Sequence, residues 1–131
     1  MRNCSPKIIY LSAAQSGPLA NSRSLAIDGN VYSIKDKELS QYLAGVLKTT
    51  VVVPTGLSGS SILKLAVDGN SLIAVSPTTK HLGIWSTSSE LVFIRQYAIN
   101  GTKELYDAAY DGPLQTGYAL VDGRVVSFKT Q

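Results

Sequence analysis

The chain has 131 residues, 44% hydrophobic and 16% charged, with twelve basic and nine acidic side chains and a net charge of +3. That apolar content excludes a disordered chain, and the basic residues never form a run, so the charge gives nucleic-acid binding little support. The single cysteine, Cys4, excludes an intrachain disulfide and cysteine-based zinc sites. Aliphatic stretches such as Val51-Val52-Val53 are far short of the ~20 residues that span a bilayer.

The first apolar run, Lys7-Ile8-Ile9-Tyr10-Leu11, reads as a strand with no partner nearby in sequence. Ser24–Ile27 and Val31–Ile34 then flank Asp28-Gly29-Asn30, a tight-turn sequence that supplies the positive φ angles of a hairpin. Glu38–Leu43 and Thr49–Val53 complete a first group of four strands. One helical alternative competes here. Leu39, Tyr42, Leu43, Val46 and Leu47 also fall on a helical stripe, although Gly45 in its middle costs a helix about 1 kcal/mol against alanine.

Gly56–Ser61 is rich in glycine and serine and reads as a flexible connection; it lacks the Gly-Lys-Ser/Thr ending of a phosphate loop. The second group is Ile62–Val67, Ser71–Val75, His81–Trp85 and Leu91–Tyr97. Ser71–Val75 shows no polar alternation, as expected of a strand covered on both faces. Pro77 ends pairing after it, having no N–H to donate. A third group, Leu105–Tyr110, Thr116–Leu120 and Arg124–Phe128, has no fourth strand of its own.

Asp28, Asp68 and Asp111 stand at equivalent places, 40 and 43 residues apart. A repeat of short strands with a period of roughly 40–45 residues is the signature of β-propeller blades. The expectation is an all-β partial propeller of about three four-stranded antiparallel blades, with units near 24–56, 57–98 and 99–128. The strand at 7–11 would complete the third or a preceding blade. The repeat register also favours strands over the helix near 38–48. Closed propellers typically need four to eight blades, so the chain is either part of a longer one or associates with copies of itself.

The series Leu25–Ile34, Ile84-Trp85 with Leu91–Tyr97, and Val121–Val125 resembles NHL-type six-bladed propellers. More narrowly, it is similar to the C-terminal propeller of bacterial proteins that carry an N-terminal metal-dependent protein phosphatase-like region. The resemblance covers about residues 24–128 and implies a propeller module with no catalytic residue carried over. Blades of that kind often read Asp-Pro where this chain has Ser76-Pro77.

Enzyme chemistry finds little footing in the residues. His81 is the only histidine, so sites with two histidine ligands are impossible within one chain, and no Gly-x-Ser-x-Gly elbow presents a serine. An aspartate before Gly-Asn serves the turn itself, so Asp28, Asp68 and Asp111 read as turn residues rather than a metal-binding ring. Trp85 and the seven tyrosines read as packing between blades. No metal and no cofactor is expected.

One distribution points to binding. The connections that enter the first strand of each unit and join its second and third strands open on one end of an antiparallel blade. Arg23, Lys35, Lys37, Lys80, His81, Lys103 and Arg124 fall there, against Asp36 and Asp122, while Asp28, Asp68, Asp111 and Glu90 lie on the opposite turns. The expected function is a non-catalytic recognition or scaffold module that binds a protein, glycan or other polymer, of anionic character, through this loop face. The alternative is part of a six-bladed lyase- or lactonase-like enzyme whose site lies mostly outside this chain.

Overall fold

The computed structural model describes residues 24–35, 37–57, 62–65, 69–101 and 103–130, with the side chains of 62–65 excepted. The strand expected at Lys7–Leu11, the candidate Arg23, and Asp36 and Asp68 lie outside the described residues. Two-residue corners set the local geometry. Ala44 and Gly45 take φ of 51° and 80°, and Asp122 and Gly123 take 47° and 77°. Left-handed values at both central positions define the hairpin turn whose twist matches its strands, and Gly reaches them without steric cost.

Between such turns the chain folds into three antiparallel sheets in simple sequential order. The first contains β1 (Ser24–Ile27), β2 (Val31–Lys35), β3 (Glu38–Leu43) and β4 (Val46–Val52). The middle sheet contains β5 (Ile62–Leu65), β6 (Ser71–Ser76), β7 (His81–Ser86) and β8 (Val92–Ala98). The third holds only β9 (Leu105–Asp111), β10 (Thr116–Val121) and β11 (Arg124–Lys129), so its fourth strand is missing among the described residues. The leading strands β1, β5 and β9 lie close to one another, with β5 touching both others. This is the all-β architecture of a partial propeller, and no helix in the described residues is long and apolar enough to cross a membrane.

The helical stripe near 38–48 does not form. β3 and β4 pair through the Ala44–Gly45 corner, and Lys48 is taken up as a bulge because Gln41 pairs with Thr49 and Tyr42 with Leu47. Strand β4 therefore begins at Val46, three residues before its expected start.

The middle sheet is buried on both faces, and its register explains how. Leu72 pairs with Trp85 and Ala74 with Gly83 on one face, while Ile73 pairs with Ile84 and Val75 with Leu82 on the other. The first set packs with Ala26, Tyr32, Ile34 and Leu39 of the first sheet. The second set packs with Leu105, Ala108, Tyr110, Ala119 and Val121 of the third. Aromatic contacts reinforce each: Trp85 meets Phe93 edge-on at 5.2 Å, and Tyr97 meets Phe128 at 4.9 Å.

Part of the expected flexible connection is core instead. Thr55–Leu57 forms a 3-10 turn, and Leu57 is fully buried between the first and middle sheets. It lies directly over Gly83, where an added Cβ would come within 2.2 Å of Leu57 Cδ1. Sequence composition signalled the glycines and serines but not the one leucine that anchors them.

Candidate functional site

Lys35, Lys37, Lys80, His81, Lys103 and Arg124 all sit at the ends of strands, or in the turns, on one end of the three sheets. Each sheet contributes. In the first, Lys35 closes β2 and Lys37 occupies the turn to β3, its carbonyl accepting the Val53 N–H at 2.9 Å. In the middle sheet Lys80 adopts φ 60°, and its N–H donates to the Ser76 carbonyl at 2.8 Å. The Lys80 carbonyl accepts from Ile99 N–H at 2.9 Å, so the lysine's backbone ties the β6–β7 turn to the exit of β8.

His81 opens β7. Its Nδ1 lies 2.7 Å from the Thr79 carbonyl. A carbonyl only accepts, so Nδ1 carries the proton and the half-buried ring is oriented by its own turn. The Thr79 hydroxyl also bonds the Gly56 carbonyl and lies 2.8 Å from the Ser76 hydroxyl. Gly56 in turn rests against the His81 ring and Gln96 so closely that no Cβ would fit. These bonds hold the 3-10 turn, the β6–β7 turn and His81 as one unit.

In the third sheet Asp122 is a structural cap. One carboxylate oxygen accepts the Lys103 and Glu104 N–H groups at 3.1 and 2.9 Å, and the other approaches Lys103 N at 3.3 Å. This fixes the entry to β9 beside the β10–β11 turn and places Lys103 next to Arg124 in the topology.

Two acids at this end do not appear in the sequence reading. Glu38 pairs directly with Lys35 across β2 and β3, and Glu104, which accepts the Tyr106 hydroxyl, precedes β9. A signal for Glu38 lies in the two-residue spacing of the turn, which makes its flanking residues cross-strand partners. Among the described residues this end thus carries five full cations against three carboxylates.

The opposite end is more mixed than expected. Asp28 and Asp111 serve their turns: Asp28 accepts the Asn30 N–H and the Tyr32 hydroxyl, each at 3.1 Å, and Asp111 accepts the Leu114 N–H at 3.2 Å. Lys48 and Lys129 stand near the same end, and Lys48 lines a polar cleft of about 330 Å³ with Gln41, Thr49, Ser89, Glu90 and Leu91. Beneath it, the buried Gln41 amide donates to the Tyr32 hydroxyl at 3.3 Å. Burial pushes the Tyr32 phenol above its ordinary pKa and the Asp28 carboxylate adds to the shift; burial also raises that of Tyr42.

Among the described residues no three His, Cys, Asp or Glu side chains gather as a metal site would require. Trp85 and Tyr32 are fully buried, so neither offers a face to a ligand.

No protein-family model matches the chain, and no curated protein is detectably similar to it in sequence. Solved structures are similar in fold. Hsv2 of Kluyveromyces marxianus superposes with a TM-score of 0.63 at 9% identity, over 81% of this chain and 34% of that one. The periplasmic gluconolactonase of Pseudomonas aeruginosa gives 0.62 at 11% identity, over 84% and 37%. A Bacteroides caccae protein of unknown function gives 0.54 at 12%, over 76% and 38%. Hsv2 and the gluconolactonase are β-propellers. The chain spans little more than a third of the length of these structures.

Proposed function

We propose that this chain is a non-catalytic propeller module, of the NHL-like kind its repeats resemble, that recognises an anionic protein, glycan or other polymer through its cationic end. One observation carries the reading: all three sheets deliver cations to the same end, on turns whose backbones are pinned by hydrogen bonds. A pre-set array of this kind holds its charges in place before a partner arrives, which favours steered association. The likeness to a gluconolactonase supports the shared scaffold only, since unrelated functions occupy one fold.

Retention on immobilised heparin, a polyanion, tests the reading. Lys80→Glu with Lys103→Glu is expected to elute at clearly lower salt than wild type. Lys48→Glu with Lys129→Glu, the same charge change at the other end, is expected to shift elution less. Equal shifts would mean that net charge alone governs binding, and the cationic end would lose its standing.

A further inference from the structure

We infer that the polar cleft between the first and middle sheets binds a small zwitterion, an α-amino acid, with its ammonium on Gln41 and Glu90 and its carboxylate on Lys48. The cleft holds about 330 Å³, at the lower end of the size of small-molecule sites. It lies at the end of the sheets opposite the cationic one, so the inference does not depend on the function proposed for that end.

The repeat itself shows which side chains the fold requires here. In the first and middle sheets alike, a bulge in the fourth strand shifts the register. Gln41 pairs with Thr49 and Tyr42 with Leu47, just as Ile84 pairs with Arg95 and Trp85 with Phe93. Gln41 therefore corresponds to Ile84, and its cross-strand neighbour Tyr32 corresponds to Ile73. The two isoleucines are buried against the third sheet. Tyr32 and Gln41 are buried almost as completely, at 0% and 4% exposure, on the face turned to the middle sheet. An apolar pair fills this position in the next sheet, so packing alone does not call for a polar one. The bulged residue differs too: it is Ile94 in the middle sheet and Lys48 in the first. Regular alternation would send Lys48 and Thr49 to opposite faces, whereas the bulge lets both line the cleft.

A chain of hydrogen bonds that begins at Asp28 fixes the polarity of the site. The Asp28 carboxylate only accepts, so the Tyr32 hydroxyl, 3.1 Å away, donates to it. Burial and that carboxylate hold the phenol above its ordinary pKa, so it keeps the proton it donates. The Tyr32 oxygen then accepts from the Gln41 amide nitrogen at 3.3 Å. With its nitrogen held inward, Gln41 offers its carbonyl oxygen to the cleft, and among the described residues that oxygen has no hydrogen-bond partner. Glu90 adds a charged acceptor and Lys48 a cation, and neither has an ion-pair partner among the described residues. The turn carrying Ser89 and Glu90 is anchored by Leu91, which is buried in the core between the two sheets.

These groups select the ligand. One cation and one carboxylate cancel, which disfavours a purely anionic occupant. No aromatic side chain lines the cleft, so a pyranose ring finds no face to stack on. An α-amino acid answers every charge: its ammonium donates to the Gln41 oxygen and the Glu90 carboxylate, and its carboxylate accepts from the Lys48 ammonium. A polar side chain on it would reach the Thr49 and Ser89 hydroxyls that line the same space.

The test titrates the full 131-residue chain, isotopically labelled for nuclear magnetic resonance, with four probes. These are L-glutamine, N-acetyl-L-glutamine, L-glutamine α-amide and glucose. L-Glutamine is expected to give saturable shifts at the Gln41 side-chain amide and at the backbone amides of Thr49 and Glu90. Each blocked compound, lacking one of the two charges, is expected to bind about tenfold more weakly or worse, and glucose to leave these signals unmoved. Gln41→Ile, the residue the repeat places at the equivalent position, and Glu90→Gln, on an exposed turn, are each expected to weaken L-glutamine about tenfold with an unchanged circular-dichroism spectrum. Lys129→Gln, near the same end but outside the cleft, is expected to leave binding as it is. No saturable shift with L-glutamine, equal binding of the blocked compounds, or an affinity indifferent to Glu90→Gln would each overturn the inference.

Discussion

Substituting Gly83→Ala probes the contact that joins the first and middle sheets. A Cβ there would lie 2.2 Å from Leu57 Cδ1 and 2.9 Å from Trp85 Cζ3. Carbon atoms in contact prefer about 3.5–4.0 Å, so the overlap with Leu57 exceeds an ångström. Neither neighbour has room to retreat, because Leu57 and Trp85 are both 0% exposed. Overpacking of this kind costs about 1–3 kcal/mol, from which the entropy gained by replacing glycine in a strand recovers about 0.5–1 kcal/mol. The expected net loss is about 0.5–2 kcal/mol. Leu57→Ala alone should cost about 2–5 kcal/mol through lost burial and the cavity it leaves. The double variant places the new methyl in that cavity, so it should be less destabilised than the two single losses combined, by at least about 1 kcal/mol. Urea unfolding followed by tryptophan fluorescence reads this directly, since Trp85 is the only tryptophan and lines the contact. The denaturant slope should stay constant across the four proteins. A neutral Gly83→Ala, or strict additivity in the double variant, would refute the argument that Leu57 is locked over Gly83.

Two further outcomes follow from buried polar groups. The phenols of Tyr32 and Tyr42 are held above their ordinary pKa in the fold, so folding favours their neutral forms. Their contribution to stability is fully present below about pH 10 and is lost as pH rises through the raised values. Thermal midpoints measured from pH 8 upward should therefore fall on the alkaline side, and Tyr32→Phe should flatten that fall while costing about 1 kcal/mol at neutral pH through its bonds to Asp28 and Gln41; an identical alkaline limb would count against it. Asp122→Ala, which removes the cap on Lys103 and Glu104 and puts alanine at φ 47°, should cost about 1–2 kcal/mol, and Asp122→Asn, which tolerates that φ, should cost less. Equal losses by urea unfolding would show that the backbone angle contributes nothing.

How far the fold is legible in the sequence depends on whether a local signal agrees with a long-range one. The Asp-Gly corners repeat at one period, the apolar runs of β6 and β7 and Pro77 mark the middle unit within it, and the three sheets follow these signals closely. Near residue 44 two local patterns conflict. The stripe of Leu39, Tyr42, Leu43, Val46 and Leu47 satisfies a helix, yet in the sheet Leu39 and Tyr42 are buried while Leu43, Val46 and Leu47 are exposed. Ala44 in a left-handed conformation is the unforeseeable element, because alanine gives no turn signal. The bulge that absorbs Lys48 then moves the start of β4. Leu57 escapes notice for a related reason: a single leucine among glycines and serines has no periodicity, and only the neighbouring sheet gives it a cavity to fill.

The candidate site is legible in another sense. Strand alternation and turn order put Lys35, Lys37, Lys80, His81, Lys103 and Arg124 at strand ends or turns on one end of the sheets. What they omit is pairing. Glu38 stands opposite Lys35 because the turn between them is short, and Glu104 enters with Lys103 because both amides are bound by Asp122. Lys80 differs in kind. Its left-handed backbone is fixed from both sides by Ser76 and Ile99, so its side chain leaves from a rigid corner rather than a loose loop. A rigid origin reduces the conformational entropy lost when the ammonium meets a carboxylate or sulfate. For the proposed anionic partner, Lys80 in the middle sheet is therefore the expected energetic centre, with Lys103 and Arg124 on one side and Lys35 and Lys37 on the other.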